Sequence, residues 1–167
     1  MKKNINIRIK EIWHNNIDDG LFDVVHEDDV SEDEETDFLG ALMSQITDPP
    51  GTPQIEFTTC GVLEEQNDGI SITYEESELT GMQGAVTQFF IANDGVVTMS
   101  RSGVNSLNLV FEKDKRYICP NGNEPFLVTT RELKNTISQT GGSLDIAYTI
   151  NVGGSLTEHN EFNIDIL

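Results

Sequence analysis

Between Ile70 and Gly122 apolar and polar residues alternate with a period of two, as where Val97 and Met99 are interleaved with Thr98 and Ser100. Such alternation buries one face of a strand and wets the other, which is the pattern of antiparallel sheet. The run is punctuated by turn chemistry. Asn67-Asp68-Gly69 and Asn93-Asp94-Gly95 carry the residues that tight hairpins require, because Asn, Asp and Gly tolerate the left-handed backbone of such turns. Successive strand-like runs separated by short turns leave little room for anything except an up-and-down meander.

The same reading extends to the rest of the chain. A first strand runs from about Lys3 to His14, with Ile5, Ile7, Ile9, Glu11 and Trp13 on one face and Asn6, Arg8 and Lys10 on the other. Strands follow from Gln54 to the Asn67 turn, over Ile70–Tyr74, Val86–Ala92 and Val96–Arg101, then through Leu107, Leu109 and Phe111 and over Tyr117–Cys119. Phe126 to about Ile137 alternates only in part. Leu144, Ile146, Tyr148, Ile150 and Val152 form the cleanest strand, and Leu156–Ile166 closes the chain with Phe162, Ile164 and Ile166 inward. The expectation is an all-β chain of 8 to 10 strands with no long helix, in one domain over residues 1–167. Consecutive antiparallel strands must hide their edges, and curling into a single up-and-down barrel does so. A two-sheet sandwich is the alternative.

Charge narrows the partners. Ten Lys and Arg against 29 Asp and Glu leave a net charge of -19, and no base stands between Lys10 and Arg101, where 21 of the acids fall. Nucleic acid and anionic lipid surfaces are bound through Lys and Arg, so neither is expected as a partner. Met1-Lys2-Lys3 resembles the start of a secretory leader, but polar residues interrupt Ile5, Ile7 and Ile9, so no continuous apolar core follows. No apolar run reaches the length of about 18 residues that a membrane-spanning helix needs. Cys60 and Cys119 are far apart in sequence and read as free thiols, with a disulfide between them as the lesser alternative. A cytoplasmic location is expected.

The runs Tyr74-Glu75-Glu76-Ser77-Glu78-Leu79-Thr80-Gly81, Arg101-Ser102-Gly103-Val104-Asn105-Ser106, Phe111-Glu112-Lys113, Gly141-Gly142-Ser143-Leu144-Asp145-Ile146-Ala147-Tyr148 and Glu161-Phe162-Asn163-Ile164 stand in this order. Together they resemble the DUF1934 family of small bacterial proteins. The likeness covers about Lys3 to His14 and the chain from Pro53 onward. It implies a calycin-like, lipocalin-type barrel in the cytoplasm of Gram-positive bacteria, and it implies no activity and no catalytic residue. The chain departs from the family where residues 15–52 intervene after the first strand, since the family joins its first two strands more directly.

That inserted segment is acidic throughout, from Asp18 and Asp19 to Asp48, with no base among them. Ser31-Glu32-Asp33-Glu34 has the spacing of a helix capping box, and Phe38, Leu39, Leu42, Met43 and Ile46 fall on one helical face behind it. A short amphipathic helix there would serve as a plug for one end of the barrel, or as a peptide that docks in the groove of a protein partner; a solvated loop is the third reading.

Sites for chemistry are sparse. Glu64-Glu65-Gln66-Asn67-Asp68-Gly69 with Glu75 mimics the spacing of a calcium loop but lacks its leading Asp and falls in a hairpin. His14, His26 and His159 have no metal-ligand spacing, and no nucleophile elbow, phosphate loop or dinucleotide fingerprint is present. No metal, cofactor or catalytic residue is therefore expected. A barrel does offer its interior, lined by alternate residues. By parity Trp13, Tyr74, Met99, Arg101 and Tyr148 face inward and are the candidate ligand-binding residues. Arg101 has two readings, as an anchor for a ligand carboxylate or as the partner of Glu11, Glu76 or Glu158. The expected function is non-enzymatic binding of a small apolar or amphipathic ligand, foremost an acid, with an enzyme acting on a hydrophobic substrate as the third reading. The alternative is a protein-interaction module using the acidic insertion or a barrel face.

Overall fold

A computed structural model describes residues 1–15, 53–103, 106–122, 124–153 and 156–167. The chain divides into two compact units, Met1–Asn15 with Pro53–Leu167, and Asn16–Thr52. The second unit, with the capping box and the apolar face expected near Phe38, lies outside the described residues.

Ten strands make up the first unit: β1 (Lys2–Asn15), β2 (Gln54–Gln66), β3 (Gly69–Glu75), β4 (Val86–Ala92), β5 (Val97–Ser102), β6 (Leu107–Phe111), β7 (Arg116–Cys119), β8 (Phe126–Asn135), β9 (Gly142–Val152) and β10 (Leu156–Ile166). They form one antiparallel sheet in the order β6-β5-β4-β3-β2-β1-β10-β9-β8-β7. Every adjacent pair is consecutive in sequence except β1 and β10, which bring the two ends of the chain together with Ile7 opposite Ile166 and Ile9 opposite Ile164. β1 thus carries a ladder on both sides and is the strand around which the sheet closes.

Closure is nearly complete. β6 and β7 end the sheet and pair in no ladder, but the turn Glu112–Lys115 joins them. Asp114 N–H donates to the Thr130 carbonyl (3.0 Å) and Thr130 N–H to that of Lys115 (3.1 Å). Side chains bridge the interior. The rings of Phe89 on β4 and Phe162 on β10 lie 4.9 Å apart, and those of Phe111 on β6 and Tyr148 on β9 lie 4.8 Å apart. Ile7, Ile9, Leu63, Ile72, Phe89, Phe111, Leu144 and Ile164 are buried, so the inward residues of most strands fill the middle of the barrel as one apolar core. Each large side chain of this kind stabilises the fold by roughly 1.5–3 kcal/mol on burial.

Particular residues bend the strands. Gly61 on β2 faces Tyr74 on β3, and a Cβ on Gly61 would lie 3.1 Å from the Thr73 carbonyl oxygen and 3.3 Å from Ile7 Cδ1. A side chain there would press on the β3 backbone and on Ile7, so glycine suits this close approach. The partial alternation expected after Phe126 has a structural cause. The β8–β9 register shifts between Thr130 and Glu132, leaving Arg131 as the extra residue of a bulge, so the parity of β8 changes part of the way along. Among the described residues no helix is long and apolar enough to cross a membrane. The two cysteines are free, Cys60 exposed and Cys119 buried.

Candidate functional site

Strand register builds the site as two rows of inward side chains. Tyr74, Thr87, Arg101 and Leu107 stand opposite one another in turn across β3, β4, β5 and β6. Trp13, Asn160, Tyr148 and Thr130 do the same across β1, β10, β9 and β8. The barrel's curvature faces these rows toward each other, and between them is a cavity of about 280 Å³. Its walls are Trp13, Met99, Leu107, Leu109, Tyr148 and Ile150, with Glu11, Arg101, Glu158 and Asn160 as its polar groups.

Tyr74-Glu75-Glu76-Ser77-Glu78-Leu79-Thr80-Gly81 now has a physical role. Tyr74 and Glu76 continue the inward parity of β3, and Glu76 N–H donates to the Ala85 carbonyl (2.9 Å), which carries the β3–β4 pairing one step past the strand. Ser77 Oγ then accepts from Leu79 N–H (3.2 Å) and caps a single 3-10 turn over Glu78–Thr80. Gly81, with φ of 71°, ends that turn in the left-handed conformation. The chain that follows brings Met82 back to the cavity wall.

The polar floor is buried and incompletely paired. Arg101 donates to a single oxygen of Glu76, from Nε at 3.2 Å and from Nη2 at 3.1 Å, and its Nε also reaches Thr87 Oγ1 at 3.1 Å. The Thr87 hydroxyl donates to the same Glu76 Oε1. The Glu76 side chain is fully buried and that of Arg101 only 8% exposed. Three donors therefore converge on Glu76 Oε1, while Glu76 Oε2 has no partner. Glu11 Oε1, Tyr74 Oη and Asn160 Oδ1 are also buried without partners. Unpaired buried polar atoms are rare in folded proteins, because each loses its hydration without recompense.

Electrostatics follow from this burial. The Glu11 carboxyl is pushed up to about 7, first by desolvation and then by the charge of Glu76, with Arg101 opposing. The phenols of Tyr74 and Tyr148 are pushed up by the same desolvation, and the nearby Glu11 adds to both. The site thus holds an exchangeable proton near neutrality.

Of the residues expected from sequence, Trp13, Met99, Arg101 and Tyr148 line the same cavity. Tyr74 does not line it, but sits in the Arg101 row with its ring buried and feels the charges of Glu76, Glu11 and Arg101. Of the two sequence readings of Arg101, pairing with Glu76 is the contact the structure shows. Glu11 and Asn160 were not among the candidates. The signal for both was available, since each is a polar residue at an inward parity position, one step along the inward face from Ile9 in one strand and from Phe162 in the other. The calcium-like run Glu64–Gly69 lies in the β2–β3 hairpin, and among the described residues no group of three or more His, Cys, Asp or Glu is placed to hold a metal ion.

Ten antiparallel strands in near-sequential order, closing nearly on themselves around a packed core and a small polar-floored cavity, define a calycin-like barrel. The family described as "Domain of unknown function (DUF1934)" matches residues 41–164, and the chain belongs to that family. The matched stretch leaves out β1, which is separated from the other strands by residues 16–52. The chain is also similar in structure to the ywiB protein from Bacillus subtilis, seen in a crystal structure, with a TM-score of 0.64. That likeness covers 99% of this chain and 91% of that one at 17% sequence identity, and it is a likeness of fold. No curated protein matches the chain.

Proposed function

We propose that the barrel is a non-enzymatic binding protein that takes one small amphipathic molecule in the cavity bounded by Trp13, Met99, Arg101 and Tyr148. The observation that carries this reading is the floor of that cavity, where Glu11 and Asn160 are buried and each has an oxygen without a partner beneath an apolar wall. A barrel filled solely for stability would close this space with side chains, whereas an apolar wall with a few unsatisfied polar groups at its base is how small-ligand sites are built. The volume suits a ligand with a short hydrocarbon or single-ring body.

Native mass spectrometry of gently purified protein tests the proposal. A stoichiometric adduct on the folded chain, lost when Tyr148→Ala opens the wall, is the expected result. A bare mass that stays bare after incubation with short-chain amphiphiles would overturn it and favour the protein-interaction reading.

A further inference from the structure

Of the buried polar atoms without partners, Glu11 Oε1, Glu76 Oε2 and Asn160 Oδ1 are acceptors, while the Tyr74 and Thr130 hydroxyls, which can donate, do not line the cavity. The one nearby arginine, Arg101, is already paired with Glu76. Its Nε and Nη2 both donate to Glu76 Oε1. One guanidinium charge thus stands against Glu76, Glu11 and Glu158, the last two lining the cavity itself. A ligand carboxylate entering here would add another negative charge to this excess and would compete with Glu76 for the one guanidinium. A ligand that donates hydrogen bonds and carries positive charge meets the opposite situation. It would supply donors to Glu11 and Asn160, balance the acids, and lie among Trp13 and Tyr148, whose rings attract cations.

Resting on the binding role proposed above, we infer that the cavity selects a small amphipathic amine, with its ammonium group held by Glu11 at the floor and its apolar body against Trp13, Met99 and Leu109. Glu11 is 92% buried by its 8% exposure and Asn160 is 94% buried by its 6%, so both are held within the barrel rather than at a solvated rim. Arg101 is a positioning residue that holds the Glu76 side chain in place through two hydrogen bonds to its Oε1. The chain's net charge of -19 draws cations toward the molecule and repels anions, in the same sense as the site.

Trp13 is the single tryptophan and lines the cavity, so its emission reports occupancy. The test is a fluorescence titration of the full chain with hexylamine, 1-hexanol and hexanoate at pH 8 and at pH 5.5, checked by native mass. Hexylamine should bind at pH 8 about tenfold more tightly than either of the other two, the size expected of one charge-assisted hydrogen bond. Its affinity should fall about tenfold at pH 5.5, where Glu11 takes up its proton, while that of hexanol stays level. The groups that face Glu11 are Tyr74 on β3, Glu76 just after it, Arg101 on β5, Tyr148 on β9 and Glu158 on β10. His14 and His159 alternate to the outer face, where His14 lies 3.4 Å from Glu161. Glu11→Gln should lose the amine preference and its pH dependence while keeping hexanol.

Hexanoate binding as tightly as hexylamine, or an amine affinity that does not change with pH, would overturn the amine inference and leave a binding cavity standing. No response to any of the three compounds would overturn the binding role itself. Should Glu11→Gln not fold, the comparison of ligands and of pH in the native chain decides the question alone.

Discussion

Glu11 occupies an inward position that follows directly from Ile5, Ile7 and Ile9, and burial there has a thermodynamic consequence. Its folded value of about 7 lies above the unfolded value of about 4.5. The folded chain therefore holds this proton more tightly than the unfolded chain does. The resulting stabilisation is fully present below about pH 4.5 and is lost as pH rises to about 7, after which it changes no further. The span corresponds to about 3 kcal/mol as an upper estimate. Urea unfolding of the native chain and of Glu11→Gln should show the substitution nearly neutral at pH 4.5 and stabilising by up to about 3 kcal/mol at pH 8. Equal differences at the two pH values would mean that Glu11 titrates normally. The Arg101–Glu76 pair makes a second prediction, because removing one partner leaves a buried charge alone. Arg101→Met should destabilise by about 3–5 kcal/mol, and adding Glu76→Gln to it should recover a good part of that loss in a double-mutant cycle. Additive losses from the two substitutions would show that the pair is not coupled.

At the level of strands, most of the architecture was legible because a period of two and hairpin residues are local signals. β4 occupies Val86–Ala92 and β10 Leu156–Ile166, as read from the sequence. What local signals cannot give is height in the barrel. Parity placed Glu11, Tyr74, Arg101 and Tyr148 inward, but which of them meet is set by the stagger between strands far apart in sequence, and only the assembled sheet brings Glu11 near Arg101. The bulge at Arg131 was hidden for a similar reason, since it depends on how β9 pairs with β8. The sheet also predicts where it opens. β1 is paired along both sides, whereas β7 is a four-residue end strand with Ile118 74% exposed, and it has one ladder neighbour. Native-state hydrogen exchange should find the amides of Ile7 and Ile9 among the slowest and those of β7 exchanging by local opening at far lower free energy. Uniform protection across both strands would mean that the β6–β7 seam is sealed as firmly as the ladders.

For the molecule as a whole, the barrel's connections bear on whether residues 16–52 are needed to fold it. The residues that flank that segment pair within the sheet, where Ile12 stands opposite Gln54 and Trp13 N–H donates to the Pro53 carbonyl at 2.9 Å. A hairpin could therefore join β1 to β2 directly, and loop closure over a longer connection adds only about 0.6 kcal/mol for each doubling of its length. The segment also carries twelve of the 29 acids and no Lys or Arg. Charge of one sign repels itself, and compaction increases that repulsion. Replacing residues 16–52 with a short Asn-Gly turn should accordingly leave a cooperatively folding barrel whose melting temperature is within a few degrees of the full chain's at 0.15 M salt. The full chain should gain more stability than the shortened one as salt is raised from 0.01 M to 1 M, because screening acts on the charges that the replacement removes. Calorimetry of both chains across that range separates the outcomes. Loss of many degrees in the shortened chain at every salt concentration would show that the segment contributes contacts to the fold, as the plug reading of the sequence required. An equal salt response in both chains would show that its acids do not bear on the barrel's stability.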